Sequence, residues 1–274
     1  MSTPEIDPFG PGVLSCYEEA LTSAKQQGVT VKILVLCNPH NPLGRCYPAS
    51  TLTALLKFCN IHKIHLVADE IYAMSVYDVP GEEKAAPFVS VLSLEWEKYI
   101  DAKYFHHVYG LSKDFACGGL RVGVLYTKSK EVERAVTALA NFHSSGTVNA
   151  LLANTILENK SFIKGFLEKN RNRIAAASLL ARGLLDEAGI YYLPANAGFF
   201  LWVDLGPWLR EKDGEDEWAR ERRLMERLME KRVFVMGGGM QSADRAGWFR
   251  FVFTRDEALV KEGIRRMKEV CGIE

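Results

Sequence analysis

YGLSKDFACGGLRVG, residues 109–123, sets Lys113 just after a short apolar run and places Arg121 eight residues later among glycines. Apolar runs flank the segment. Residues 105–109 and 122–127 both predict strands, so the two cations stand on a loop that joins neighbouring strands of a sheet. Taken alone, Ser112 and Lys113 beside glycines read equally as a solvated loop. Arg121 reads equally as a surface residue opening the second strand.

Upstream, residues 31–36 (VKILVL) form an uninterrupted apolar run, the pattern of a strand buried on both faces of a parallel sheet. Residues 48–60 then turn to helical spacing, with Leu52, Leu55, Leu56 and Cys59 on one face and Pro48 suited to the first turn. Residues 64–68 give the next strand. This is a strand-helix-strand unit, for which a right-handed crossover is expected. Before it, residues 1–12 carry Pro4, Pro8, Gly10, Pro11 and Gly12 and predict an extended lead-in, then a helix over 13–27 closed by Gly28. A polar excursion is expected between Val79 and Pro87. Downstream, helix is predicted over 131–140 and again over 148–188.

The texture changes near Tyr191. IYYLPANAGFFLWVDL predicts two strands around a turn, then a charged helix over 213–231, the strands VFVM and WFRFVF, and a last helix over 256–270. The fold expected is α/β over residues 1–170, with a mostly parallel sheet, and a small α+β domain over 171–274.

Composition narrows the function. Lysine plus arginine (34) equals aspartate plus glutamate (34), which leaves no basic field for nucleic acid and no excess charge for anionic membranes. No apolar run approaches the roughly 20 residues of a membrane helix, and MSTPEIDPFGPG is no signal core, so a cytoplasmic setting is expected. Six cysteines without a C-x-x-C pair read as reduced thiols, Cys117 near Lys113 among them. His106 and His107 lack a carboxylate or cysteine at metal-ligand spacing, so no metal site is expected. The expected partners are a small molecule and another polypeptide.

Three further segments join the opening one: NPHNPLG (38–44), VADEIY (67–72) and GWFRF (247–251). In this order and at these separations the chain resembles the pyridoxal-phosphate-dependent class I/II aminotransferases of the aspartate aminotransferase type. With the PNAG-like segment at Asn196, it resembles the 1-aminocyclopropane-1-carboxylate synthase branch and its aminotransferase-like relatives. The resemblance runs from about Val13 to the C-terminus. It implies that the first domain is a partial large domain of that fold, with pyridoxal 5'-phosphate as cofactor and a small amino acid as substrate.

Residue by residue, the resemblance implies Lys113 as the catalytic amine, holding the cofactor as a Schiff base and then carrying the alpha proton. Asp69, ending its strand at the crevice end of the sheet, is implied as partner of the ring nitrogen, though it could instead cap a helix after the strand. Tyr72 and Asn41 are implied as contacts of the phenolic oxygen. Arg121 and Ser112 are implied at the phosphate, where an arginine fork suits bidentate contact. Arg250 and Asn196 are implied at the substrate carboxylate. The serine usual three residues before the lysine is replaced by Gly110. The glycine triplet 237–239 reads as a connector rather than an anion-binding nest.

No counterpart of the family's N-terminal arm, phosphate loop or ring-stacking aromatic precedes Val13. A homodimer or a complementing chain is therefore expected. Alternatives to an aminotransferase or synthase are a carbon-sulfur lyase on the same scaffold and a non-catalytic fragment or pseudoenzyme.

Overall fold

The computed structural model describes residues 7–81, 85–211 and 213–274. The first half of the proline-rich lead-in and the middle of the 79–87 excursion lie outside the described residues. The chain forms two compact units. The first comprises the described residues up to His40, Cys46–Val76 and Ala85–Leu167; the second comprises Asn41–Arg45, the described residues from Tyr77, and Glu168–Glu274.

In the first unit, α1 (Val13–Gln26) leads to β1 (Ile33–Cys37), α2 (Ala49–His62), β2 (His65–Asp69), β3 (Phe105–Gly110) and β4 (Gly123–Thr127). The strands lie in the order β1-β2-β3-β4. The first three are parallel and β4 is antiparallel to β3. The sheet is thus mixed and mostly parallel, within an α/β fold. Pro48 is the N-cap of α2 rather than part of its first turn, and Lys63 closes the helix in a left-handed conformation. Leu52, Leu55, Leu56 and Cys59, the stripe read from the sequence, are all fully buried. Each of these leucines contributes about 1.5–3 kcal/mol by leaving water.

Two further expectations for this unit need correction. β1 is not covered on both faces: Ile33 is 55% exposed and Val35 67%. An apolar run alone does not report which neighbours are present. The single helix over 148–188 is two helices, α4 (Thr147–Glu158) and α5 (Lys160–Glu187), coming after α3 (Lys130–His143). Asn159 makes the break: its side-chain oxygen accepts the Phe162 N–H at 3.0 Å, starting a new helix with its own cap. The chain passes from the first unit to the second within α5, after Leu167.

The second unit packs the later part of α5, α6 (Glu217–Glu230) and α7 (Glu257–Cys271) with a sheet of β5 (Phe200–Asp204), β7 (Trp248–Val252) and β6 (Met236–Gly237). The sheet order is β5-β7-β6 and both pairings are antiparallel. Phe249, Phe251 and Phe253 enter its core with Leu201, Val203, Leu224 and Leu228. The strand expected from VFVM shortens to two residues, because Arg232 turns at φ +59° and the Val233 amide closes onto the Leu228 carbonyl at 2.9 Å. Of the strand expected around Tyr191, only a bridge between Tyr192 and Val203 forms. Among the described residues no helix is long and apolar enough to cross a membrane.

Candidate active site

Five of the eight residues singled out from the sequence lie in the first unit, at the ends of β2 and β3. Asp69 closes β2 at the carboxyl end of the parallel strands, where open α/β sheets present ligand-binding groups. One carboxylate oxygen accepts the Ile71 N–H at 3.1 Å, which starts the next turn; the other makes no hydrogen bond among the described residues. Burial raises the Asp69 pKa, while the Ile71 amide and His107 oppose that rise. A half-buried carboxylate with an open oxygen suits a cationic N–H donor.

Three residues on, Tyr72 is buried, and the Lys113 ammonium lies 5.8 Å from its ring centroid. Lys113 is exposed, on a loop held by hydrogen bonds from the Ala116 amide to the Lys113 carbonyl and from the Cys117 amide to the Leu111 carbonyl, both 3.0 Å. Ser112 is half-buried beside it. Arg121 takes a left-handed conformation (φ +53°), and its guanidinium donates to the Gly118 carbonyl at 3.0 Å from an exposed position.

At Gly110 an added Cβ would stand 3.0 Å from the Val122 carbonyl oxygen and 3.3 Å from Ile71 Cδ1. The β3–β4 pairing therefore leaves little room there for the serine usual at that place. The neighbouring histidines are drawn into other contacts. His107 lies 3.0 Å from Glu70, too poorly aligned for a hydrogen bond, and His106 joins His65 and Thr127, each at 2.8 Å.

The other three lie in the second unit. Asn41 sits between two cis X-Pro bonds, Asn38-Pro39 and Asn41-Pro42, on a segment that reaches Gly44. The Gly44 carbonyl accepts the amides of both Asn196 and Ala197 at 2.9 Å, and the Asn196 carbonyl accepts the Tyr77 amide at 3.0 Å. Asn196 is buried.

Arg250 lies opposite Trp202 in β5 and Met236 in β6, its guanidinium 5.6 Å from the Phe200 ring centroid. It donates to the Asn41 side-chain oxygen at 2.9 Å and to the Met236 sulfur at 3.3 Å, while its buried Nε has no hydrogen-bond partner among the described residues. Asn41 thus gives its side-chain oxygen to Arg250. The Asn41–Arg250 contact joins residues 209 apart in sequence, a link that local pattern does not carry.

Two features were missed in the sequence. Asp114, next to Lys113, is fully buried. Its signal was a carboxylate set directly between Lys113 and the apolar Phe115. The glycine triplet surrounds the chain's own buried Glu221, whose carboxylate accepts the Gly239 amide at 2.9 Å and the Gly247 amide at 2.8 Å. A Cβ at Gly237 would stand 2.6 Å from that carboxylate.

A family model, "Aminotransferase class I and II", matches residues 14–267. The chain is 36% identical over 253 residues to 1-aminocyclopropane-1-carboxylate synthase-like protein 1 of Takifugu rubripes, covering 92% of this chain and 39% of that protein. It is 33% identical over 261 residues to 1-aminocyclopropane-1-carboxylate synthase 2 of Solanum lycopersicum, covering 94% and 52%. Among solved structures, a double mutant of Thermus thermophilus aspartate aminotransferase superposes with a TM-score of 0.72 at 25% identity, covering 90% of this chain and 59% of the other. The chain spans about half the length of the curated relatives it matches.

Proposed function

The chain belongs to the aminotransferase class I and II family, and from that premise we propose that it carries out a pyridoxal-phosphate-dependent transformation of a small amino acid, as an aminotransferase or a 1-aminocyclopropane-1-carboxylate synthase-like enzyme. The observation that carries the reading is Arg250. Its guanidinium is half-buried and, among the described residues, has a neutral amide and a thioether as its hydrogen-bond partners while a buried N–H is left unpaired. A buried donor left unmade costs about 1–3 kcal/mol, more when charged, so the site favours an anion. An amino-acid carboxylate brought to this edge would satisfy Nε and displace the weak sulfur contact.

Bound pyridoxal phosphate supplies an aldehyde for amines and an electron-withdrawing ring that eases loss of the alpha proton. The residues of the first unit fit that group. Asp69 offers its open oxygen to the ring nitrogen, and a proton held there offsets the burial that raises the carboxylate's pKa. Lys113 would supply the amine that holds the group and the base that moves the proton at the substrate's alpha carbon. Tyr72 would donate to the phenolic oxygen, and Arg121 and Ser112 would hold the phosphate. Asn196 assists Arg250 at the substrate carboxylate.

A second polypeptide, either another copy or a complementing chain, is part of the proposal. Supporting it, β1 exposes Ile33 and Val35, and α3 exposes Leu139 (62%) and Phe142 (85%). Assays for keto acid, 1-aminocyclopropane-1-carboxylate and released thiol on cognate amino acids test the reaction. Keto acid marks an aminotransferase, the cyclopropane product a synthase, and thiol the carbon-sulfur lyase alternative. None of the three, with cofactor bound, marks a non-catalytic form. Arg250→Gln should raise KM for the productive substrate by about tenfold or more, consistent with loss of a charged hydrogen-bond pair.

A further inference from the structure

We infer that Asp114 is a positioning residue: its carboxylate clamps the loop that carries Lys113 to the turn after Asp69 and so fixes where the Lys113 amine stands. The inference rests on Lys113 being the cofactor-binding amine. Asp114 is 0% exposed. Its Oδ1 accepts the Ser75 hydroxyl at 2.5 Å, and its Oδ2 accepts both the Met74 amide and the Tyr109 hydroxyl at 2.9 Å. Burial, then the Asp114 charge, push the Tyr109 phenol well above its usual pKa, so it remains a donor.

The three donors come from the two segments that frame Lys113. Met74 and Ser75 end a turn that begins at Asp69 and carries Tyr72, with the Ala73 amide on the Glu70 carbonyl and the Ser75 amide on the Tyr72 carbonyl, both 2.9 Å. Tyr109 lies in β3, immediately before the Lys113 loop. That loop reverses through Ala116 at φ +53° and closes on itself through the Leu111 and Lys113 carbonyls. Its own bonds shape the loop, and Asp114 ties that shape to the turn bearing Asp69 and Tyr72. Buried hydrogen-bond networks of this kind hold a neighbouring side chain to the tolerance a reacting amine needs.

Positioning and charge make different predictions. Asparagine can keep the clamp, its oxygen accepting from Met74 and Tyr109 and its amide donating to the Ser75 oxygen. Alanine cannot. The experiment measures how fast pyridoxal phosphate, at sub-saturating concentration and well below the melting midpoint, becomes borohydride-trapped on Lys113, located by peptide mass mapping. Amide hydrogen exchange at Met74 is measured in the same apo-proteins.

Asp114→Ala should trap about tenfold more slowly or worse and exchange the Met74 amide faster. Asp114→Asn should stay within about threefold of wild type and keep Met74 protected. Glu221→Ala, which removes a comparably buried carboxylate from the second unit, should lower the melting midpoint while trapping at the wild-type rate. If Asp114→Ala does not fold, the double variant Ser75→Ala/Tyr109→Phe carries the test and should trap more slowly than wild type.

Wild-type trapping in Asp114→Ala, or in the double variant, overturns the inference while leaving Lys113 in its role. Asp114→Asn as slow as Asp114→Ala also overturns it, in favour of a charge effect. A wild-type protein that traps no cofactor on Lys113 overturns the reading of Lys113 and the inference together.

Discussion

Gly44→Ala should destabilise the second unit by more than its backbone conformation alone explains. Gly44 stands at φ +64°, and an added Cβ would lie 2.8 Å from the Ala195 Cβ and 2.9 Å from the Ala197 carbonyl oxygen. Left-handed backbone costs a non-glycine residue about 1–2 kcal/mol. Forcing a methyl against backbone and a rigid Cβ adds about 1–3 kcal/mol. Gly189, in the same unit, has the same φ of +64° and nothing within 4 Å of the added Cβ. The gain from a stiffer unfolded chain is shared by both substitutions and cancels between them. Urea unfolding of the two variants should therefore differ by about 1–3 kcal/mol, with Gly44→Ala the less stable. Equal losses would refute the claim that Gly44 is required for the close approach of the Asn41 and Asn196 segments.

Acid should weaken the fold through His40, whose pKa burial lowers to about 4 from the usual 6.5. The folded chain keeps His40 neutral while the unfolded chain protonates it, so its contribution is complete above about pH 6.5 and is lost as pH falls toward 4, up to about 3 kcal/mol. Denaturant titrations across this window should give His40→Gln a pH dependence flatter than wild type by nearly one proton, and parallel curves would count against it. Asp69→Asn should retain cofactor but slow exchange of the substrate alpha proton with deuterated solvent by roughly a hundredfold or more, because the ring nitrogen loses its anionic partner. Wild-type exchange by NMR would remove Asp69 from that role.

The sheet and helices of the first unit were legible because each element carries its own pattern: VKILVL for β1, the Leu52–Cys59 stripe for α2, and the flanks of Lys113 for β3 and β4. What the pattern left out lies between elements. The capping role of Asn159 is local but was hidden inside a continuous helical periodicity. The exposure of Ile33 and Val35 depends on neighbours that a strand's own residues do not specify. In the second unit, WFRFVF read directly as a strand, whereas VFVM was cut short by the turn at Arg232. The glycine triplet gave no sign of Glu221, which packs onto it from α6.

The candidate site divides in the same way. The resemblance to a known family singled out Lys113, Asp69, Tyr72, Arg121 and Arg250, but no spacing rule joins Asn41 to Arg250 or Asp114 to Met74. Those links depend on chain segments brought together by folding. Asn41 shows the limit most clearly: read with the cofactor residues, it also supports the arginine read with the substrate.

The central claim is that Lys113 binds the cofactor. Its most direct test is the visible absorption spectrum of the purified chain after incubation with pyridoxal phosphate and desalting, recorded beside Lys113→Ala. The expected result is a visible band in the wild-type protein that is lost in the variant while its far-UV circular dichroism is unchanged. A band that persists in Lys113→Ala, or no band in folded wild-type protein, would contradict the claim.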